Sequence, residues 1–185
     1  LKVYKDISSL PSPPDLAVVV IPARMVPGIV EECGKAGVKA AIVVTGGFAE
    51  AGTEGEKLQA EMADKAGQYG LRVVGPNCQG INGPHDNLCA SWPLITTRGK
   101  IAFICQSGTV GAALIDWASQ DQLGFSVFVS LGNRADVDES DCIRYFNADP
   151  NTKVIALYME GVKRPAVFLE SLAGATKPIV ILKAG

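Results

Sequence analysis

The sequence predicts an α/β protein built on parallel sheets, and two patterns support this fold class. Apolar, β-branched runs of strand length recur along the chain. Their apolarity is continuous rather than alternating, which is typical of strands buried on both faces. Amphipathic helical stretches separate these runs, and strands that alternate with helices indicate right-handed crossovers within a parallel sheet. The predicted strands are residues 16–21, 40–44, 71–74, 101–105, 125–130, 154–158 and 178–182.

Four helices are predicted from their ends or their apolar stripes. Pro27 suits the first turn of a helix, where its missing N–H costs nothing, and Gly37 can adopt the left-handed conformation that ends it. Thr53 and Glu56 have the spacing of a capping box at the start of the second helix. Asp138 or one of its neighbours is placed to cap the fourth helix. The apolar positions predicted to face the core are Ile29, Val30 and Cys33, then Leu58, Met62 and Ala66, then Val110, Leu114 and Trp117, and finally Ile143 and Phe146.

The alternation of strands and helices breaks between residues 77 and 100, where glycine and proline interrupt two short apolar pieces. The break is longer than an ordinary connection of about 2–6 residues, so we place a domain boundary in it. Residues 1–95 are predicted to form the later portion of a Rossmann-like domain. Residues 96–185 are predicted to form the first part of another doubly wound domain.

Composition and charge argue against several classes of function. The 185 residues include 17 basic and 19 acidic ones, for a net charge of −2, without a basic cluster. We therefore expect no nucleic-acid or membrane partner and favour small molecules. The five cysteines contain no C-x-x-C pair, which predicts neither a zinc site nor disulfides and fits a reducing cytoplasm. The chain lacks an initiator Met, and we expect it to begin within a longer protein.

The segment Gln106-Ser107-Gly108-Thr109 follows one predicted strand and opens a helix. Glycine lets the backbone approach a ligand closely, and the N–H groups at a helix start favour an anion. Ser107, Gly108 and Thr109 are therefore candidate ligands of phosphate or a carboxylate. The alternative is an ordinary helix start capped by its own hydroxyl groups.

Three further strand ends have sequences that suit a ligand-binding groove. They would lie at the carboxyl edge of a parallel sheet, which is where open α/β sheets bind ligands, and glycine allows close approach there. Asn77 can both donate and accept hydrogen bonds. Cys78 can lie against a thiol or thioester, although a buried cysteine is usually a small apolar group. The candidate groove residues are Pro22, Ala23, Thr45, Gly46, Gly47, Asn77 and Cys78.

Glu160 lies beside Gly161 at the end of another predicted strand. A carboxylate there could hold an imidazole in one tautomer, or it could be a solvated loop acid or a member of an ion pair. His85 lies in a turn-rich segment where the sequence places no acidic partner, so we expect it to be solvated. The acidic residues between positions 136 and 141 fit helix capping better than a cation site, and no metal is predicted.

Six motifs follow one another at the predicted strand ends and edges. They are Gly75-Pro76-Asn77-Cys78, Gln106-Ser107-Gly108-Thr109, Ser130-Leu131-Gly132-Asn133, Asp149-Pro150 before Thr152-Lys153-Val154-Ile155, Tyr158-Met159-Glu160-Gly161, and Lys177-Pro178 through Lys183-Ala184-Gly185. In this order they resemble the motifs of the NDP-forming acyl-CoA synthetases, which include ADP-forming acetyl-CoA synthetase and the α subunit of succinyl-CoA synthetase. The resemblance covers nearly the whole chain.

The resemblance implies a CoA-binding Rossmann-like domain over residues 1–95 and a succinyl-CoA-ligase-like, flavodoxin-type domain over residues 96–185. It implies an acid–thiol ligase that interconverts acyl-CoA, NDP and phosphate with a carboxylic acid, CoA and NTP, through acyl phosphate and a phosphohistidine. The groove residues would then lie along CoA, and Ser107, Gly108 and Thr109 would bind the phosphoryl group. Glu160 would hold the histidine.

The resemblance also implies parts outside this sequence. The glycine-rich first turn of the CoA-binding domain would precede Leu1, and the loop with the phosphorylated histidine would follow Gly185. A grasp-type domain or subunit would bind ADP or ATP with Mg²⁺, so we expect the chain alone to be inactive and the complete enzyme to be a cytoplasmic oligomer. One alternative is a CoA-sensing module without catalysis, as in acetyltransferase fusions. Another is an unrelated Rossmann nucleotide binder, which would need a G-x-G-x-x-G run that this sequence lacks.

Overall fold

A computed structural model describes residues 2–92 and 94–184, which form two compact units. The first unit contains the chain up to Asn77 together with Asn133–Asp136, and the second contains Cys78–Gly132 and the chain from Val137 onwards. Strands alternate with helices in both units, which confirms the predicted α/β class. The predicted domain boundary at residue 95 stays a prediction. Gly185, which ends the last predicted motif, lies outside the described residues, as do Leu1 and Pro93.

The first unit is built on a parallel sheet of three strands, in the order β1-β2-β3. All three strands were predicted, and two helices connect them. The elements are β1 Leu16–Val19, α1 Val26–Lys35, β2 Ala40–Val43, α2 Thr53–Gln68 and β3 Arg72–Val74, with short 3₁₀ turns at Ile7–Ser9, Ala23–Met25 and Ala49–Ala51.

The ends of α1 confirm the sequence analysis, whereas the start of α2 corrects it. Pro27 lies in the first turn of α1, and Gly37 follows the helix in a left-handed conformation with φ 87°. The predicted capping box at Thr53 is wrong, because Thr53 is already helical and the N-cap is Gly52, which has φ 95° and no capping side chain. The chain therefore enters α2 through a backbone conformation that glycine permits.

Residues from later in the chain complete the first unit, and this was not predicted. They are the segment Asn133–Asp136, whose main-chain N–H groups donate to carbonyl oxygens of the loop after β3 at 2.8 Å. The carboxylate of Asp136 accepts hydrogen bonds of 2.8 Å from Arg72 Nε and from the N–H of Val73. Asp136 thus serves as a partner of β3 and not as part of a helix cap, which corrects the expectation of capping for this residue.

The second unit contains a sheet of six strands in the order β5-β4-β7-β6-β8-β9. The strands β6 to β9 are parallel and confirm the four predicted ones. The sequence did not predict the antiparallel hairpin β4-β5, which adds to one edge through β7, or the helix α5. The elements are β4 Gly80–Gly83, β5 Leu88–Ser91, β6 Arg98–Cys105, α3 Gly108–Gln120, β7 Phe125–Ser130, α4 Glu139–Ala148, β8 Val154–Met159, α5 Pro165–Ala173 and β9 Ile179–Lys183.

The buried face of α3 differs from the predicted stripe at one large residue. Trp117 was predicted to face the core, but it is 54% exposed, and the buried residues of the helix are Gly111, Ile115 and Ala118. A Cβ atom on Gly111 would lie 3.0 Å from the ring of Phe128. The helix therefore packs closely on β7 through small residues, and this turns Trp117 outward.

Asp138 caps α4 as predicted, and it also forms an ion pair. Its carboxylate accepts hydrogen bonds from Ser140 N at 2.8 Å and Asp141 N at 3.3 Å, and Arg164 Nε donates to it at 2.6 Å. The side chain of Asp138 is only 4% exposed, whereas that of Arg164 is 44% exposed. Burial raises the pKa of Asp138, but the hydrogen bonds from Arg164 and the helix N–H groups outweigh it and hold this pKa below its usual value.

No helix among the described residues combines the length and the apolarity that crossing a membrane requires.

We predict that Gly55→Ala destabilises the first unit. A Cβ atom at Gly55 would lie 1.8 Å from the carbonyl oxygen of Phe48, so α2 would have to move away from the loop before it. Such overpacking costs about 1–3 kcal/mol. The matched control is Gly67→Ala in the same helix, where nothing lies within 4 Å of the added atom and stability should rise by up to about 1 kcal/mol. Urea unfolding of the complete protein measures both, and equal effects of the two substitutions would contradict the packing.

We predict that Arg164→Gln destabilises the second unit in a pH-dependent way. A carboxyl group whose pKa is lowered by folding stabilises the protein above its unfolded pKa and loses this effect as the pH falls through the folded pKa. The substitution should therefore cost about 1–3 kcal/mol at neutral pH, a value reduced by the partial exposure of Arg164, and nearly nothing in acid. Arg144→Gln is the control, because its contacts with Asp141 and Glu170 are 3.8 and 4.0 Å long and exposed. A cost that does not change with pH would exclude this ion pair as the cause.

Candidate functional site

The carboxyl ends of the parallel strands form one row in the second unit. The register pairs Cys105 of β6 with Ser130 of β7 on one side and with Tyr158 of β8 on the other. Leu182 of β9 continues the row beside Tyr158. The predicted motifs follow directly after these residues, so the register brings the start of α3 and Glu160 to one edge of one sheet.

The start of α3 has the geometry of an anion site. Ser107 is the N-cap, and its Oγ accepts a hydrogen bond of 3.4 Å from Val110 N. Gly108 and Thr109 are the first helical residues, and their N–H groups have no carbonyl partner within the helix. The dipole of the helix adds partial positive charge at this point. The predicted helix start is confirmed, and the binding role of these residues stays a prediction.

A buried thiol fixes the turn that leads into α3. Cys105 is fully buried, and its Sγ donates to the carbonyl oxygen of Ser107 at 2.9 Å. Burial raises the pKa of the Cys105 thiol to about 11, and the negative charge of Glu160 adds to this rise. Cys105 is therefore protonated at neutral pH and acts as a hydrogen-bond donor within the loop.

Glu160 is exposed, and the side chain of Gln106 holds its main chain in place. Gln106 Oε1 accepts hydrogen bonds from the N–H of Glu160 at 2.7 Å and from the N–H of Gly161 at 3.1 Å, and Gln106 Nε2 donates to the carbonyl oxygen of Gly161 at 2.8 Å. The sequence analysis quoted Gln106 only as part of a motif. A single sequence contains no signal that distinguishes such a long-range contact from a solvated amide.

Gln79 also lies at the start of α3, and the sequence analysis missed it. Its Cγ and Nε2 lie 3.4 and 3.5 Å from the position that a Cβ atom on Gly108 would take. Its main-chain N–H donates to Ser130 Oγ at 3.0 Å. Among the described residues, Gln79 Oε1 is buried without a hydrogen-bond partner. Gln79 directly precedes β4, and because β4 was not predicted, nothing in the sequence placed it at this edge.

In the first unit, the ends of β1 and β2 and the loop after β3 come together, as predicted. Thr45 Oγ1 donates to Ile21 O at 2.8 Å and accepts from Ile21 N at 3.2 Å. The main-chain N–H of Asn77 donates to Thr45 O at 2.9 Å. The hydroxyl group of Thr45 is thus used within the protein. Pro22 is exposed, and Ala23 begins the 3₁₀ turn that follows β1.

Two glycines keep the edge of this sheet open. A Cβ atom on Gly46 would lie 3.1 Å from Asn77 Oδ1 and 3.2 Å from Glu50 Oε1, and Gly47 has φ 99°. The carboxylate of Glu50 accepts hydrogen bonds from the N–H of Gly47 and from Asn133 Nδ2. Burial raises the pKa of Glu50, but Asn133 and the main-chain N–H groups lower it below its usual value, so Glu50 is ionised at neutral pH. Glu50 was not singled out by the sequence, and Asn133 was quoted only as the last residue of one motif.

Two other residues considered in the sequence analysis have defined surroundings. Cys78 is buried in the second unit, and burial raises the pKa of its thiol to about 12, so it is protonated at neutral pH. The expectation that His85 is solvated is wrong, because the residue is half-buried and its Nε2 lies 2.9 Å from the carbonyl oxygen of Gly99. His85 therefore ties the turn of the β4-β5 hairpin to the start of β6.

Two family profiles match the chain in succession. Residues 1–84 match the family described as "CoA binding domain", and residues 98–185 match the "Succinyl-CoA ligase like flavodoxin domain".

Similar proteins cover the whole chain. The chain is 41% identical over 187 residues to the α subunit of acetate–CoA ligase (ADP-forming) II of Pyrococcus furiosus, a match that covers 100% of this chain and 41% of the relative. It is 42% identical to acetate–CoA ligase (ADP-forming) I of Archaeoglobus fulgidus, over 98% of this chain and 27% of the relative.

A solved structure has the same fold. Dinucleotide-forming acetyl-coenzyme A synthetase 1 of Ca. Korarchaeum cryptofilum, in complex with phosphate and ADP, matches with a TM-score of 0.95 and 41% identity, over 100% of this chain and 40% of that chain. The chain thus spans between 27% and 41% of the length of these relatives. The order of the two matched domains and the identity across the chain show that the protein belongs to the NDP-forming acyl-CoA synthetase family.

Proposed function

We propose that this chain supplies the CoA-binding and phosphoryl-binding edges of an acid–thiol ligase. The complete protein would interconvert acyl-CoA, NDP and phosphate with a carboxylic acid, CoA and NTP. The observation that carries the proposal is the row of strand ends in the second unit, which sets the start of α3 and Glu160 at one sheet edge. Its support is the similarity to ADP-forming acetate–CoA ligases over the whole chain.

The proposed chemistry has three group transfers. A phosphate oxygen attacks the thioester carbonyl carbon, the C–S bond breaks, and CoA leaves as a thiol with the proton of the phosphate. An imidazole nitrogen then attacks the phosphorus of the acyl phosphate, the acyl-oxygen–phosphorus bond breaks, the carboxylate leaves, and the imidazole N–H proton is released. Finally an oxygen of the NDP attacks the phosphorus, the P–N bond breaks, and the histidine leaves as a neutral imidazole that regains the proton released in the second transfer. By the family resemblance, this histidine lies outside the present sequence.

Ser107, Gly108 and Thr109 would hold the phosphoryl oxygens in these transfers. The N–H groups of Gly108 and Thr109 are the free donors of the helix start, and the Ser107 hydroxyl accepts from Val110 N, which leaves its proton able to donate. Fixed donors aimed at developing negative charge stabilise a transition state without reorganising. Gln79, which lies against Gly108, would add an amide to the same edge.

Glu160 would orient the histidine. Its exposed carboxylate can accept the N–H of an imidazole, which fixes the tautomer and leaves the other nitrogen as the nucleophile. The Gln106 contacts hold the main chain of Glu160, so the direction of the carboxylate is restricted before the histidine arrives.

The residues of the first unit fit CoA as a ligand, and CoA supplies the thiol leaving group of the first transfer. The fit rests on Gly46, where a Cβ atom would fill the space beside Asn77, and on Gly47, whose φ of 99° suits glycine. Asn77 would hydrogen-bond the amide-rich arm of CoA. The surface beside this arm of CoA would be formed by Pro22, Ala23 and the main chain of Thr45. Cys78 belongs to the second unit, and its thiol is buried and protonated at neutral pH, so it would not act as a nucleophile.

The remaining partners would come from the rest of the protein. We infer that a grasp-type domain or subunit binds ADP or ATP with Mg²⁺, and that the complete enzyme is an oligomer. No metal is assigned to the present residues. The five cysteines are free, which fits a reducing compartment such as the cytoplasm.

Glu160→Gln tests the central role. In the complete protein, we expect the rate of phosphohistidine formation from labelled acyl phosphate to fall about 100-fold or more, because a neutral amide holds the imidazole poorly. CoA binding should not change. Glu170→Gln, at an exposed acid on α5, is the matched control and should react like the wild type. Unchanged phosphorylation of the Glu160 variant would remove Glu160 from the mechanism, and a protein that binds CoA but is never phosphorylated would be the CoA-sensing alternative.

Gly46→Ala tests the CoA site independently. The added Cβ atom would lie 3.1 Å from Asn77 Oδ1, so we expect the affinity for CoA, measured by calorimetry on the complete protein, to fall at least about 10-fold. Phosphohistidine formation from acyl phosphate does not require CoA and should remain. The control is Gly28→Ala in α1, where the added atom has nothing within 4 Å. Equal CoA affinity of both variants would place CoA elsewhere.

A further inference from the structure

The side-chain amide of Gln106 has a polar contact on each side. Its oxygen accepts two main-chain hydrogen bonds, from Glu160 and Gly161, at 2.7 and 3.1 Å. Its nitrogen donates to the carbonyl oxygen of Gly161 at 2.8 Å. Because the oxygen faces N–H groups and the nitrogen faces a carbonyl group, only this orientation of the amide satisfies all three contacts.

The main chain of Gln106 is fixed as well. Its N–H donates to the carbonyl oxygen of Tyr158 at 3.1 Å, which extends the pairing of β6 and β8 by one residue. Gln106 is only 6% exposed, and it directly precedes the N-cap residue Ser107. The same residue is therefore joined covalently to the start of α3 and by hydrogen bonds to the loop that contains Glu160.

We propose that Gln106 is a positioning residue that sets the distance and direction between the Glu160 carboxylate and the anion-binding start of α3. This inference rests on the proposed function, because it assumes that Glu160 orients the histidine whose phosphoryl group binds at α3. Gln106 contacts no reacting atom in this scheme. It acts through Glu160, and through no other residue of the site.

The test is a double-substitution cycle in the complete protein, with phosphohistidine formation from labelled acyl phosphate as the readout. Gln106→Met keeps the length of the side chain and removes all three hydrogen bonds. We expect the rate constant for phosphorylation to fall about 10- to 100-fold, while the KM for acyl phosphate changes less than about 3-fold. In the Glu160→Gln background, Gln106→Met should lower the rate less than about 3-fold further, because its effect passes through Glu160.

Two controls separate positioning from stability. Gln120→Met replaces an exposed glutamine of α3 whose side-chain nitrogen donates to Asp116, and it should react like the wild type. Gln106→Asn keeps an amide but is one methylene shorter, so it should fold if the methionine variant does not and should show the same loss of rate. Thermal unfolding and CoA affinity of each variant report whether the fold is intact.

The outcomes are distinct. A folded Gln106 variant with the wild-type rate would overturn the inference, and so would an equal loss of rate with and without Glu160, since Gln106 would then act on its own. If Glu160→Gln itself has no effect, Glu160 does not orient the histidine, and this inference fails together with that proposed role. Loss of rate in the Gln106 variant that disappears in the Glu160→Gln background would establish the positioning role.

Discussion

The in-register pairing of the parallel strands β7, β6 and β8 is the constraint on which the rest of the candidate site depends. Ser130, Cys105 and Tyr158 are neighbours in one row, and the ladder continues one residue further through the N–H groups of Gln106 and Leu131. The loops after the strands thus begin at one level. A shift of one residue in any of these strands would turn every following side chain to the opposite face. The register therefore places the start of α3 and the main chain of Glu160 at the same edge of the sheet.

In both candidate sites, a polar side chain holds a glycine-containing loop in place through its main-chain N–H groups. Loops that must approach a ligand closely contain glycine, and glycine contributes little rigidity of its own. In the first unit, the carboxylate of Glu50 holds the N–H groups of Gly47 and Phe48. In the second, the amide of Gln106 holds the loop at Glu160. The hydrogen bonds of Glu50 and Gln106 therefore restrict loops whose glycines would otherwise leave the backbone flexible.

The sequence predicted features that depend on neighbouring residues and missed those that depend on distant ones. Continuous apolar runs predicted all the parallel strands. The burial on both faces that such runs indicate does not extend to β9, where Val180, Ile181 and Leu182 are exposed. Strand β4 of the hairpin was not predicted, because Gly80–Gly83 has little strand propensity and is stabilised by pairing with β7. Trp117 was misplaced because Gly111 lets α3 lie against Phe128. Gln106 forms its contacts 54 and 55 positions away, a separation that no local pattern encodes.

The segment Asn133–Asp136 has a consequence for how such a protein can change over evolutionary time. It follows β7 in the chain, yet it completes the sheet edge of the first unit at β3. The two family domains follow one another along the sequence. The first folded unit nevertheless includes Asn133–Asp136, a segment that lies within the second family domain. A recombination event that moved the CoA-binding domain alone would leave the N–H of Val73 and the side chain of Arg72 without the carboxylate of Asp136. A CoA-binding domain separated in this way would need another hydrogen-bond acceptor at this edge of β3.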